Sequence, residues 1–361
     1  MIKNTLLGCL GLMALHTNAQ QQVSFYIDSN SFSNISPVLE LVDDDWQSPP
    51  KSDADKGFSQ SRLGMSYRHP SLADFTFHIE QRLDYFVKSH ADTALGYYQE
   101  QNDIPLLDKE NYKVKLDYFA NRSKGFALGY SYDFNNGFLI GVKGSYWRVD
   151  YFRHSVVSGN VQGRDDNSLL GDLNYEEYYT HNNFLKRPNE DEWDSKGKGY
   201  SVDLFVEVSV FENLSVRADL IDIYNRFSVD NLGYTSADIN TKGSFIDNQG
   251  FSSFRPLLKG FEGQSDHKFK IPEQIALAFT YHHEKIDYAL NLLRQGDLNF
   301  MQIGAQFAYK KNMFELMLDP INLTPQLGYK IDFFKLEIAL DKLNPNEAMQ
   351  LSLKTQINWL F

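Results

Sequence analysis

The final stretch of the chain, Asn346 to Phe361, alternates with period two. Phe361, Trp359, Ile357, Leu353, Leu351 and Met349 fall on one face, and Gln356, Lys354, Ser352 and Gln350 on the other. Period two is the signature of a strand with one apolar and one polar face. The cadence recurs upstream in runs of about ten residues broken by turn chemistry, the pattern of barrel hairpins. Leu63, Met65 and Tyr67 alternate with Arg62, Gly64, Ser66 and Arg68, and Phe75, Phe77 and Ile79 alternate with Thr76, His78, Glu80 and Arg82. Further runs follow over 112–118, 126–132, 138–146, 200–210, 214–220, 275–281, 286–292, 301–309, 314–318, 327–333 and 334–340. Hydrophobic residues make up 42% and mean hydropathy is -0.43, so beyond the first residues there is no apolar run of the ~20 residues that a membrane helix needs. Any insertion into a membrane therefore uses strands, whose alternation tolerates polar residues on the inner face.

The start has the three regions of a secretory leader: Lys3 in a short charged region, an apolar run from Leu6 to Leu15, and Thr17-Asn18-Ala19 before Gln20. Residues 1–19 are accordingly expected to be a cleaved signal peptide. Leu6-Leu7-Gly8-Cys9 also resembles a lipobox, but the apolar run continues past the cysteine. Cleavage after Ala19 removes Cys9, and with it any disulfide, thiolate metal site or cysteine nucleophile. A net charge of -12 disfavours unspecific nucleic-acid binding.

Leader, hairpin cadence and a terminal strand ending on an aromatic together resemble Gram-negative outer-membrane β-barrel proteins. The resemblance implies export to the cell outer membrane, and an all-β, transmembrane antiparallel up-and-down β-barrel. In that family the terminal strand is recognised by the assembly machinery, which points to Phe361, Trp359 and Ile357 as the assembly signal. No motif ties the chain to a subfamily. The runs above give roughly fourteen strands, with twelve to sixteen compatible, over 58–361. Residues 20–57 read as an N-terminal extension, with strand candidates at Val23–Ile27 and Val38–Val42. This extension would plug the barrel mouth, hang as a periplasmic tail or add one strand.

Such barrels keep short turns and the C-terminus in the periplasm and long loops outside. Counting back from Phe361, the short turns at 333–334, 310–312, 282–284, 211–213 and 135–137 fall inside, and the long connections 153–199 and 229–271 fall outside. One connection disobeys: Val87 to Asn111 is long yet falls on the periplasmic side, so it folds into the lumen or hides a strand such as Leu95–Glu100.

If the apolar positions face lipid, their neighbours face the lumen. The solute pathway is then expected from Arg62, Arg68, Glu80, Arg82, Lys113, Lys115, Asp117, Lys143, Asp203, Glu207, Arg217, Asp219, Lys330 and Lys354. Both signs are present, which suits either a selective pathway or a salt-bridge lattice bracing the wall. A barrel of this size lies between small packed barrels and open porins of 16 to 18 strands, implying a narrow lumen. Tyr and Phe near strand ends, Tyr112 among them, suggest interfacial girdles.

Catalysis finds little support. His69 with Ser71, His90 with Asp92 and His154 with Ser155 are local pairs without a surrounding motif, and Asp43-Asp44-Asp45 and Arg164–Asn167 lack the spacing of a calcium loop. The expectation is a non-enzymatic, porin-like channel or transporter for a small solute, monomeric or trimeric, with no cofactor or metal. The alternative is a surface anchor, adhesin or component of an export machine. Expected partners are outer-membrane lipid and lipopolysaccharide, the barrel-assembly machinery, and a small solute or periplasmic protein.

Overall fold

The computed structural model describes residues 21–43, 46–72, 74–106, 111–134, 137–163, 169–181, 194–241, 244–246, 252–254 and 257–361. In chain order the strands are β1 (Gln22–Ser33), β2 (Lys56–Arg68), β3 (Phe75–Ser89), β4 (Tyr112–Asp133), β5 (Phe138–Gly163), β6 (Leu169–Tyr179), β7 (Lys196–Phe211), β8 (Leu214–Asn240) and β9 (Ser244–Ile246). They continue with β10 (Ser252–Phe254), β11 (Leu257–Phe269), β12 (Gln274–His283), β13 (Ile286–Gln295), β14 (Leu298–Tyr309), β15 (Asn312–Asp319), β16 (Thr324–Ile331), β17 (Phe334–Leu340) and β18 (Gln350–Leu360). Helices α1 (Val38–Asp43) and α2 (Ala91–Gln101) interrupt them.

Fourteen strands close an antiparallel ring: β1 to β5, then β7, β8 and β12 to β18, with β18 pairing back onto β1. β6 and β11 lie outside the ring, β6 pairing the upper parts of β5 and β8, and β11 pairing β8 beyond β12. The wall is therefore uneven: β4, β5 and β8 have 22, 26 and 27 residues, against 8, 8 and 7 in β15, β16 and β17. Residues of the expected lipid face point outward and stay uncovered, as with Ile79 at 58% and Phe126 at 63% exposure.

Two sequence expectations change here. The extension does not begin as a plug or tail, because Gln22–Ser33 is a wall strand in register with β18 (Gln22↔Leu360) and β2 (Gln22↔Arg68), and the expected boundary at 58 falls inside β2. Its alternation is hard to see because the outward positions Ser29 and Ser31 are hydroxyls, paired with Ser61 and Ser59 at 2.7 and 2.8 Å. Conversely, the runs 112–118 and 126–132 are one strand, β4, not two. The two errors cancel in the count but not in the parity. With β4 continuous, the connection from Val87 to Asn111 moves to the same end as the other long loops, and the segment proposed as a hidden strand is α2. At the near end, where Gln22 and Leu360 pair, every connection is short. The long ones gather at the far end.

There α1, α2 and the 46–55 segment form a small apolar cluster of Ile35, Trp46, Ala54 and Ala94, with Trp46 packed against Tyr97 at 4.8 Å. Tyr112 belongs to this assembly instead of a girdle: it is 1% exposed and donates to Gln99 Oε1 of α2 at 3.0 Å. The leader, Asp44, Asp45 and Arg164–Asn167 lie outside the described residues.

Candidate functional site

Alternation aims Arg62 of β2, Glu80, Arg82 and Asp84 of β3, Lys143 of β5 and Asp203 of β7 into the lumen at one height, as the register pairs Arg62 with Arg82 and Lys143 with Asp203 show. Asp222 arrives by another route. Between the pairs Val202↔Tyr224 and Leu204↔Leu220, Asp203 alone opposes residues 221–223 of β8, so β8 bulges. Asp222 takes φ 56° there, a left-handed conformation that Asp tolerates better than most residues. Its N–H donates to Asp203 Oδ1 at 2.8 Å, and its carboxylate turns inward.

The resulting bonds cross the lumen. Arg62 donates to Asp203 at 2.7 Å and to Asp222 at 3.0 Å, from a strand four and five places away around the ring. Arg82 grips two carboxylates with its planar fork: Asp84 through Nε and Nη2, both at 2.8 Å, and Asp222 through Nη1 at 3.0 Å and Nη2 at 2.8 Å. Lys143 bridges Glu80 at 2.9 Å and Asp203 at 3.2 Å. Gln60 and Asn121 complete Asp84 at 2.9 and 2.8 Å, and the Tyr26 hydroxyl donates to Glu80. Tyr26 reaches Glu80 from β1 across β2 only because Gly64 stands between them: a Cβ there would lie 2.7 Å from the phenol. Three cations face four carboxylates, and Arg82, Asp84 and Glu80 have side chains 1% exposed.

Directly toward the far end the inward residues turn apolar. Arg82 sits over the Trp147 ring at 5.1 Å, and Trp147 donates to Ser201 at 2.9 Å. Above it Val149, Phe152, Phe227, Val229, Leu232, Phe269 and Ile271 form a buried cluster. Phenylalanine rings then run contact to contact around and across the lumen. Phe227, Phe269 and Phe119 follow one another at 5.1 and 5.4 Å; Phe86, Phe58, Phe300 and Phe32 continue at 6.0, 6.4, 5.9 and 5.3 Å. Phe300 belongs to β14, six places from β2 in the ring. At the same end Lys88 of β3 meets Asp297, in the β13–β14 turn on the opposite wall, at 2.5 Å. The far mouth is thus drawn together by one hairpin tip, and the lumen is stopped by a charged layer under an aromatic one.

Arg62, Glu80, Arg82, Lys143 and Asp203 were legible as lumen residues and come together. Arg217, Glu207 and Asp219 form a separate trio near the near end, with Arg217 at 3.2 Å from Glu207 and 2.8 Å from Asp219. Lys354 stands 3.9 Å from Asp28, and Arg68 is exposed at the near rim. Asp117 pairs with His154 at 3.1 Å higher on β4 and β5, while Lys113 and Lys115 are exposed beside α2 and Lys330 is exposed on β16. None of these joins the bridge. Phe361, Trp359 and Ile357 lie at the β1–β18 seam, where the Phe361 and Gln21 backbones exchange two 3.0 Å bonds and Trp359 meets Phe25 edge-on at 5.3 Å. Asp84 continues the alternation of Glu80 and Arg82 and was within reach of sequence. Asp222 was not, since the bulge breaks parity.

The histidines singled out by sequence have local partners: His69 accepts from the Ser71 N–H at 3.2 Å, and His90 caps α2 by accepting from the Asp92 N–H at 3.2 Å. Among the described residues no group of three or more His, Cys, Asp or Glu could hold a metal ion.

No family model and no curated protein matches this chain. Solved structures resemble it over nearly its full length. They include a TodX monoaromatic hydrocarbon channel mutant (12% identity, 96% of this chain and 90% of that one, TM-score 0.44) and the Pseudomonas putida toluene transporter TodX (10%, 96% and 89%, 0.40). The translocator domain of the autotransporter NalP from Neisseria meningitidis is also similar (10%, 100% and 95%, 0.36). At these scores the likeness carries no argument about cargo, and the architecture rests on the chain's own strand pairing.

Proposed function

We propose that this chain is an outer-membrane channel that passes a small solute through its lumen, seen here in a closed state. The exterior suits a bilayer, since many outward side chains are large, apolar and uncovered, Leu63, Ile79 and Phe126 among them, while the charges of the bridge point inward. The near end, with its short turns, is the periplasmic one, and the far end faces outside. The observation that carries the reading is the cross-lumen bridge. A wall needing only bracing can pair charges between adjacent strands, whereas Arg62 and Arg82 reach partners four and five strands away. Such a stop is made of exchangeable hydrogen bonds. It can open without unzipping the wall.

Planar-bilayer recording tests this. The wild-type chain should show rare, small openings, and a variant with Arg62→Ala and Arg82→Ala together should conduct steadily. Silence from both, with the barrel folded, refutes the channel. The sheet of β5, β6, β8 and β11 that projects at the far end favours a second reading, a surface anchor or export component. Pull-down of a stable partner from intact membranes would support it.

A further inference from the structure

The outward face of the tall wall changes character along β4, β5, β7 and β8. Phe126, Tyr146 and Tyr200 stand side by side there, with ring centroids 5.4 and 5.3 Å apart. One outward position farther toward the far end, the register aligns Lys124 with Arg148 and Arg148 with Lys198. Lys198 of β7 and Lys268 of β11 then both pair with Ser228 of β8, one from each side, while Arg226 of β8 pairs with Tyr200. All five cationic side chains are on exposed residues. Tyr132 and Ile140, paired near the other end of β4 and β5, lie one membrane crossing of about 9–11 residues away. An aromatic row at this height marks the edge of a bilayer, and the cations stand just beyond it.

Such a row is unfavourable on its own, because like charges directly opposite on neighbouring strands repel. Asp150 relieves one end of it, at 2.8 Å from Lys124 and 3.8 Å from Arg148. Asp194, farther out, is taken by Lys196 at 3.1 Å. Among the described residues no carboxylate pairs with Lys198, Arg226 or Lys268, which leaves three cations around the Ser228 position to be balanced from outside. With neighbouring strands ~4.8 Å apart, the row from β4 to β11 spreads its charge over about 20 Å. That is wide for a single phosphate and suits a headgroup that carries several. Arg and Lys are the side chains that hold phosphate oxygens, Arg through its planar fork.

We propose that this outward row docks a multiply phosphorylated glycolipid of the outer leaflet, the chemistry of lipopolysaccharide, with its phosphates held by Lys198, Arg226 and Lys268 and its sugars at the level of Tyr146 and Tyr200. The inference rests on the channel reading only for the orientation that puts the far end outside. A phospholipid with one phosphate would meet only part of the row. Replacing Lys198, Arg226 and Lys268 together by Ala removes the unbalanced charge from exposed positions. Exchanging them as Lys198→Arg, Arg226→Lys and Lys268→Arg keeps the charge and changes the side chains. Replacing Lys285, Lys310 and Lys311 by Ala removes the same charge from the near-end turns.

The full chain, stripped of lipid in detergent, would be titrated under native mass spectrometry with bisphosphorylated lipid A, its dephosphorylated form, phosphatidylglycerol and inorganic phosphate. The bisphosphorylated lipid should be held best. The far-end Ala variant should hold it about a hundredfold more weakly, at roughly fivefold per cation, while the charge-keeping and near-end variants hold it as the wild type does. Equal binding of the dephosphorylated lipid, preference for phosphatidylglycerol, or uptake of inorganic phosphate alone would overturn the proposal. So would a far-end Ala variant that binds normally, or a near-end variant that loses as much. Lipid retention needs no open lumen. A chain that conducts in bilayers yet holds no phosphorylated glycolipid refutes this inference alone, and one that holds it but never conducts refutes the channel alone.

Discussion

Replacing Arg82 by Leu should be the most damaging single change in the lumen. Arg82 is 1% exposed and makes four hydrogen bonds at 2.8 to 3.0 Å, two to each of two carboxylates. Without it, Asp222 keeps Arg62, but Asp84 keeps only the neutral donors Gln60 and Asn121. Two cations then face four buried carboxylates. Removing one partner of a buried pair typically costs about 3–5 kcal/mol, because the remaining charge is stranded. The double variant Arg82→Leu/Asp84→Leu removes the stranded charge as well, and apolar replacements of buried pairs are often nearly neutral. It should recover at least about half of the loss. Trp147, fully buried and 5.1 Å from the guanidinium, is a convenient reporter for urea unfolding by fluorescence in detergent micelles. A single variant within about 1 kcal/mol of wild type, or a double variant no better than the single, would show that the bridge is not a coupled buried network.

Three other outcomes are expected. The Lys88 hydrogen bond and charge hold the Asp297 carboxyl below its ordinary range, so the far-end contact persists at neutral pH and is lost only as pH falls through that depressed value. Asp297→Asn should remove this acid-dependent step from bilayer recordings. Because the pair is exposed, the change in the open-to-closed ratio at neutral pH should be no more than about fivefold. Phe300→Ala breaks the aromatic chain where β14 meets β1 and β2, and should destabilise the barrel by about 3 kcal/mol while raising conductance, measured by unfolding and by bilayer recording. Deleting Phe361 removes both backbone bonds to Gln21 and should lower the amount of folded barrel in membranes, with little change in the conductance of what assembles.

The strands were legible wherever lipid-side and lumen-side positions differ in polarity, which covers most of β2 to β5 and β12 to β18. The reading fails where that contrast fails. In β1 the first half, Val23–Ile27, was read as a strand candidate, but serines stand on the outer face beyond it, so period two fades over the second half although the backbone pairs from Gln22 to Phe32 with β18. In β4 the outward face passes from Tyr118 through Ala120, Arg122 and Lys124 before Phe126, so the apolar side of the alternation lapses at mid-strand, which split one strand into two. Inward charges were read correctly, but which of them meet depends on strand order across the lumen. Arg62 and Asp203 are far apart in sequence, and nothing local says that they touch. Asp222 needed a bulge and a positive φ that only the folded wall imposes.

The seam between β1 and β18 has a further consequence, for the order in which the wall can form. Every other neighbouring pair in the ring can zip as a hairpin or through one connection, but β1 must wait for the last strand before its second edge is satisfied. Contacts between chain ends are the slowest to form, and a long unpaired edge invites the wrong partner. Measured against that hazard, the composition of β1 makes sense: QVSFYIDSNSFS presents Asp28, Asn30 and a row of serines instead of a run of valines and isoleucines. Its waiting edge is a poor template for another chain. The same polarity that blurs the second half of this strand in the sequence keeps it available until closure.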